Sequence, residues 1–337
     1  MSIVVKQLAH EEDVAVSSLW QAAIDERRRN LGFDAITTQA AVLSRPGSFG
    51  VGILDGPRLV SIALAMPARA DDAHSDRNVP GLAHISSVAT LPGEWGRGLG
   101  GLSVRAVMSQ AGRRGYARAQ LWTHDSNVGA RRLYEREGFA VSGRRRHDDR
   151  GEPILHFLRE LPAPALVARR AARLLCVDPE QQVLLMHWQD PVDGYRLWEP
   201  PGGGLEPGET QLQAVRREWA EETGLPLPDL GSSAALVARD VVWRGGRVVT
   251  DEDFFFGTTS VVAARLQPGG FTPAERVDSL GHDWVHWRKL DSLDDPVEPD
   301  LIPVLRRLAP DGPWAGRPVT VVEQRATASV SKPPPCR

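Results

Sequence analysis

Residues 203–225, GGLEPGETQLQAVRREWAEETGL, place a loop rich in glycine before a helical pattern and a further glycine behind it. Glu218, Glu221 and Glu222 stand at i, i+3 and i+4, so their carboxylates share one side of that helix. Leu212, Val215 and Trp219 form a neighbouring apolar stripe that can enter a core. Like charges at these spacings repel by roughly a few tenths of a kcal/mol per pair. Arg217 offsets part of that cost, and a hard divalent cation such as Mg²⁺ or Mn²⁺ would offset more. A solvated acidic face would explain Glu-x-x-Glu-Glu alone. It does not explain Gly203, Glu209, Arg217, the three glutamates and Gly224 together, a coincidence expected on the order of once in a million chains.

The segment resembles the Nudix box, Gly-x5-Glu-x7-Arg-Glu-U-x-Glu-Glu-x-Gly-U with U apolar, at every fixed position. The resemblance, over roughly residues 168–309, implies an α/β/α sandwich and a hydrolase acting on a nucleoside diphosphate joined to another group. It implies that Glu218, Glu221 and Glu222 are metal-binding carboxylates with catalytic weight and that Glu209 is a further ligand or structural partner. Arg217 would orient the carboxylates, and Gly203 and Gly224 would shape the loop. Diphosphate hydrolysis needs neutralised phosphoryl oxygens and an activated water. Glu275, Glu252 and Asp253 are candidates for the base, alongside the box carboxylates.

The first half carries a different glycine loop. Val88 to Gly101 reads VATLPGEWGRGLGG and runs into a predicted helix from about Leu102 to Arg114. Glycines 96, 98, 100 and 101 let backbone amides crowd at the helix start, a cradle suited to a pyrophosphate, and Arg97 adds a charge-assisted contact. Farther on, Asn127 and Tyr134 lie seven residues apart on one helical face, before Gly138-Phe139. Together these residues resemble the GNAT N-acetyltransferase superfamily over roughly residues 2–160. The resemblance implies acetyl-CoA held in a splay between two central strands by the backbone of Trp95, Gly96, Arg97, Gly98, Leu99, Gly100 and Gly101. It also implies an Asn127 that contacts the cofactor and a Tyr134 that protonates the departing thiolate. Trp95 stands where the family pattern has Gln or Arg. His84 and Glu94 are candidates for the base that deprotonates an amine acceptor.

Around these motifs the chain reads as α/β (α+β): an N-terminal mixed sheet with flanking helices over 1–161, a linker at 162–167, and the sandwich over 168–309. A Pro-, Gly-, Ser- and Thr-rich tail over 310–337 reads as disordered. Further predicted elements include strands near Ala234–Val242, Phe254–Ala264 and Trp284–Trp287 and a closing helix over Leu301–Leu308.

Composition bounds the rest. The 337 residues carry 42% hydrophobic and 25% charged residues and a formal net charge of −3, so no basic surface argues for nucleic acid. The two cysteines exclude a disulfide framework, and Cys176, in an apolar run, reads as a buried thiol. No segment approaches the roughly 18 apolar residues of a membrane span, and the N-terminus has no signal-peptide pattern. A cytoplasmic enzyme with small-molecule partners, a nucleotide-type substrate and an amine, is the expectation. Two alternatives stay open: an acetyl-CoA-sensing first half beside an active hydrolase, and a ligand-binding regulator.

Overall fold

The computed structural model describes residues 3–31, 42–70, 77–148, 150–161 and 166–316. The N-terminal part is one sheet of seven strands in the order β1-β2-β3-β4-β5-β7-β6. The strands are β1 (Ile3–Gln7), β2 (Phe49–Asp55), β3 (Arg58–Arg69), β4 (Asn78–Thr90), β5 (Arg118–His124), β6 (Ala140–His147) and β7 (Pro153–Glu160). Helices α1 (Asp13–Leu31) and α2 (Leu99–Arg113) cover opposite faces, and α3 (Val128–Arg136) joins β5 to β6. The two-residue period of β3 explains the layering. Ile62 and Leu64 pack with Val16 and Leu19 of α1. Ala63 and Ala65 pack with Val104 and Val107 of α2.

One pairing opens this sheet. β4 and β5 are its parallel pair, yet they bond only over Leu82–His84 against Arg118–Gln120. Beyond those residues β4 runs on to Thr90 and β5 to His124 without meeting, so the sheet opens into a wedge. A bulge in β4, where the partner of Leu64 is Ser87 and that of Ala65 is Ile85, accompanies the divergence.

The C-terminal part is a second seven-stranded sheet. Its strands are β8 (Leu166–Val177), β9 (Gln182–Gln189), β10 (Arg196–Glu199), β11 (Gly202–Gly204), β12 (Asp229–Trp243), β13 (Gly246–Thr258) and β14 (Ser279–His286). The path is β10-β9-β8-β13-β12, with β11 on β8 and β14 on β9. Helix α4 (Gln211–Thr223) lies on one face, and α6 (Leu301–Leu308) on the other; α5 (Pro273–Asp278) is short. Alternation along β8 sends Leu174 and Cys176 toward Val215 and Trp219 of α4. It sends Leu175 and Val177 toward Leu301 and Leu305 of α6. Each such fully buried side chain contributes roughly 1.5–3 kcal/mol. The arrangement is the sandwich expected, and Cys176 is fully buried.

Several elements differ from the sequence expectation. The strand expected over 254–264 runs instead over 246–258, because Arg244 and Gly245 turn a long hairpin with β12. Val261 and Val262, which gave the later stretch its apolar look, are exposed. Helix α5 had no periodic signal at six residues. Order extends into the segment expected as tail: Trp314 is 2% exposed and packs edge-on against Trp287. Residues 162–165 of the expected linker, and 317–337, lie outside the described residues.

The two parts meet through a buried ion-pair cluster. Arg113, at the end of α2, reaches Asp190 at 2.9 Å and Asp193 at 3.1 Å, both carboxylates fully buried. Ser109 donates to Asp193 at 3.2 Å, and the Arg113 guanidinium lies 4.3 Å over the Tyr195 ring. Burial, and then the nearby Asp193 charge, push the Asp190 carboxyl above its ordinary range. Among the described residues, no helix is long and apolar enough to cross a membrane.

Candidate functional sites

The wedge between β4 and β5 is a cavity of about 1070 Å³. At one end stands the glycine turn, where Gly98 caps α2 in the left-handed conformation (φ 78°), which side chains with a Cβ adopt at a cost of roughly 1–2 kcal/mol. Trp95, Gly96, Gly98, Leu99, Gly100 and Gly101 all line the cavity. Arg97 does not: Asp55 (3.0 Å) and Glu94 hold its guanidinium instead, so the charge expected for a pyrophosphate is already committed. The Trp95 indole donates to the Thr90 carbonyl at 2.8 Å, which ties the turn to the end of β4.

Asn127 and Tyr134 line the same cavity. Asn127 is the N-cap of α3, its side chain accepting from the Ala130 amide at 3.3 Å. Tyr134 is 8% exposed, and burial pushes its phenol up to about 12, so it keeps its proton at neutral pH. Of the two base candidates, His84 sits where β4 still pairs with β5 and does not line the cavity. Glu94 lines it, but its carboxylate is taken by Arg58 and Arg97. Three residues without a motif also reach the cavity: His124 at the end of β5, and Asp148 and Glu152 at the β6–β7 turn. A ring nitrogen of the first and a carboxylate oxygen of each of the others lie within 4.8 Å of one another. The fold brings them together, and no fixed spacing could announce it.

The second site is built around α4. Thr210 and Gln213 close a capping box at its start, and Gly224 ends it in the left-handed conformation. Arg217 bridges the carboxylates: Nε to Glu209 at 3.0 Å, and Nη1 to Glu218 at 2.9 Å and Glu221 at 3.2 Å. Gly203 lets the preceding loop approach; a Cβ there would lie 2.3 Å from Glu218 Oε1. Glu222 is buried and accepts from the Gly202 amide at 2.8 Å. Burial raises the Glu222 carboxyl well above its usual range, with Glu218 adding to the rise. Burial also raises Glu218, partly countered by Arg217.

The glutamates are not drawn into one tight group. Among the described residues, the cluster of three or more acidic, His or Cys side chains within 4.8 Å is the His124 group. Arg217 occupies the centre between Glu209, Glu218 and Glu221, acting as their counter-charge. The donor set still suits a hard cation: all oxygen, anionic, and short of positive charge at Glu222.

Of the base candidates here, Glu252 is bound up in a buried network that sequence reasoning missed. Arg173 donates to it at 2.7 Å and Arg239 at 3.2 Å, and both also pair with Glu199. Burial alone would raise Glu252, but Arg173 and Arg239 outweigh it and hold the carboxyl at about 2, too weak a base for the role. Asp253 pairs with Arg170. Glu275, on α5, is near enough to add to the rise at Glu218.

The NUDIX domain family model matches residues 167–308, and the acetyltransferase (GNAT) family model matches residues 15–139. Residues 15–139 thus form a GNAT acetyltransferase domain and residues 167–308 a Nudix hydrolase domain, the arrangement of a fusion. Over 116 residues it is 30% identical to the "Putative 8-oxo-dGTP diphosphatase" of Bacillus subtilis (strain 168), covering 34% of this chain and 65% of that protein. Over 97 residues it is 35% identical to the "Putative 8-oxo-dGTP diphosphatase 2" of Mycobacterium tuberculosis (strain CDC 1551 / Oshkosh), covering 29% and 59%. The chain thus spans 59–65% of the length of these two relatives. An RNA pyrophosphohydrolase of Rhodopseudomonas palustris (strain BisB18) is 30% identical over 129 residues, covering 35% and 70%. Among solved structures, the Escherichia coli ribosomal-protein-S18-alanine N-acetyltransferase aligns at 18% identity and TM-score 0.38, over 48% of this chain and 94% of that one.

Proposed function

We propose that the chain is a bifunctional enzyme: a metal-dependent hydrolase of nucleoside diphosphate-linked substrates joined to an acetyl-CoA-dependent N-acetyltransferase. What supports it is that each half assembles its own motif residues at one place, the glycine turn with Tyr134 in the first and the Arg217-bridged glutamates in the second. Names of the curated relatives point to nucleoside triphosphates, oxidised ones included, as the substrate class.

In the hydrolase half, Glu218, Glu221 and Glu222, with Glu209 beside them, would hold a Mg²⁺ or Mn²⁺ ion, which when bound supplies charge neutralisation and an activated water. Arg217 orients three of these carboxylates, and the Gly202 amide fixes the fourth. Glu275, whose charge acts on Glu218, is the remaining candidate carboxylate to take the water's proton. In the transferase half, the amides of the turn from Gly96 to Gly101, which lines the cavity at the start of α2, would supply donors to the cofactor's phosphates. Asn127 holds the start of α3, and Tyr134 lies on that helix with its proton in place for the departing thiolate.

The test is a screen of nucleoside triphosphates, nucleotide sugars and dinucleotides for hydrolysis with and without Mg²⁺, with Glu222→Gln as control. Hydrolysis that needs Mg²⁺ and is lost in the variant is the expected result. Equal hydrolysis by both proteins would remove the carboxylate assignment.

A further inference from the structure

The transferase reading leaves one chemical requirement without a residue. An amine acceptor is an ammonium ion near neutral pH and must lose a proton before it can attack a thioester. Both residues that the sequence offered for this fail on position or on prior commitment, as His84 and Glu94 show.

The far wall of the cavity carries a better candidate. His124 is the last residue of β5, on the stretch that has already parted from β4, and it is partly exposed to the cavity. Its Nε2 faces Asp148 Oδ2 at 3.5 Å. Asp148 is oriented for this: its other oxygen accepts from the amides of Arg150 at 2.9 Å and Glu152 at 2.8 Å. Those amide bonds, the Glu152 one foremost, and then the His124 charge hold the Asp148 carboxyl below its usual range. A neutral ring with its proton on Nε2, toward Asp148, keeps its lone pair on Nδ1. Glu152 completes the group and accepts a hydrogen bond from the Ser126 hydroxyl.

Resting on the acetyltransferase reading, we propose that His124, oriented by Asp148, is the base that deprotonates the acceptor amine. The other charged groups around this wall are Arg150 on the turn and Arg27 on α1, with Asp125 next in the chain bound to Arg131. Glu152 acts electrostatically on Arg27, so part of its charge is offset by that guanidinium.

Each proton and electron pair has a destination. His124 takes one proton from R–NH₃⁺ and later releases it to solvent. The freed lone pair forms the C–N bond at the thioester carbonyl carbon. The C–S bond breaks with its electron pair on sulfur, Tyr134 protonates that sulfur, and the excess proton on the amide nitrogen restores Tyr134.

The test uses the full chain, acetyl-CoA, and three separate amines: putrescine, tryptamine and a tripeptide with a free alanine N-terminus. Thiol release is followed from pH 6 to pH 10 for the wild type, His124→Gln and Asp148→Asn. Acetyl-CoA affinity serves as the folding control and is expected to stay within error. His124→Gln is expected to lower kcat/KM for the amine by about a hundredfold at pH 7. That deficit should shrink as pH rises, by up to about tenfold per unit, because the free-amine fraction grows. Asp148→Asn is expected to give a smaller loss of the same pH form. A His124→Gln protein that transfers as well as wild type, or one whose deficit is the same at every pH, overturns the proposal. So does a wild-type activity abolished by EDTA and restored by Zn²⁺, which would make the cluster a metal site. Should the wild type transfer to none of the amines, the acetyltransferase reading itself falls. Transfer by wild type with an unaffected variant removes His124 alone.

Discussion

The two halves build their sites from opposite materials. In the first, the proposed cofactor end is mostly backbone: a glycine turn, a helix start and a gap where β4 and β5 stop pairing. In the second, the groups on offer are side chains: glutamates on α4, spaced by the helix, with Arg217 tying Glu218 and Glu221 to Glu209 and the Gly202 amide holding Glu222. A backbone site tolerates a changed side chain as long as the chain path survives. A carboxylate site tolerates almost nothing, because each group is a charge set against its acidic neighbours and a single shared arginine. That contrast accounts for Trp95 standing where the GNAT pattern has Gln or Arg, while no position of the Nudix box is altered.

Substitutions can break the contrast or sharpen it. The largest effect is expected at Glu222: Glu222→Gln should cut kcat for Mg²⁺-dependent hydrolysis about a thousandfold, roughly 4 kcal/mol of transition-state stabilisation. A loss of less than tenfold in a steady-state assay would show that this carboxylate is structural. Next comes the joint between the halves. Arg113→Ala leaves Asp190 and Asp193 buried without their shared cation and should cost about 3 kcal/mol in urea unfolding. Two separate transitions in place of one would show that Arg113 couples the halves.

Smaller effects belong to the backbone site. Gly98→Ala places a Cβ at φ 78° and should weaken acetyl-CoA binding by about tenfold, read by calorimetry, as roughly 1–2 kcal/mol of strain requires. Trp95→Gln, which restores the family's residue, should change the same affinity by no more than about threefold, or about 0.6 kcal/mol. A Trp95 effect larger than the Gly98 effect would mean that the side chain, not the backbone, binds the cofactor.

Acid titration separates the halves as well. Glu252 titrates at about 2 in the folded chain, below its ordinary 4.5. Its contribution to stability is therefore complete above about pH 5 and is lost as pH falls through the folded value. The acid limb of the urea midpoint should flatten in Glu252→Gln, and an unchanged limb would place the acid sensitivity elsewhere.

How much of this the sequence disclosed follows the same division. The Nudix box was legible because a helix converts spacing into position: i, i+3 and i+4 leave little freedom in where Glu218, Glu221 and Glu222 point. The glycine turn was legible for a related reason, since only a few residues reach the left-handed region that Gly98 occupies. Contacts made by pairing distant strands were not. Arg173, Glu199, Arg239 and Glu252 come from four strands, and their meeting is a property of sheet order. His124, Asp148 and Glu152 meet only because β7 inserts between β5 and β6. Arg97 shows the converse: a basic residue beside a phosphate cradle is an easy inference, but Asp55, on a distant strand, already holds it.

Whether one chain carries two separate active sites is decided by reciprocal assays of two variants. Acetyl transfer and Mg²⁺-dependent nucleotide hydrolysis are measured on the same preparations of Glu222→Gln and Tyr134→Phe. Glu222→Gln is expected to lose hydrolysis and keep transfer, while Tyr134→Phe is expected to lose transfer and keep hydrolysis. Loss of both activities in either variant, or of neither in both, would contradict two separate sites.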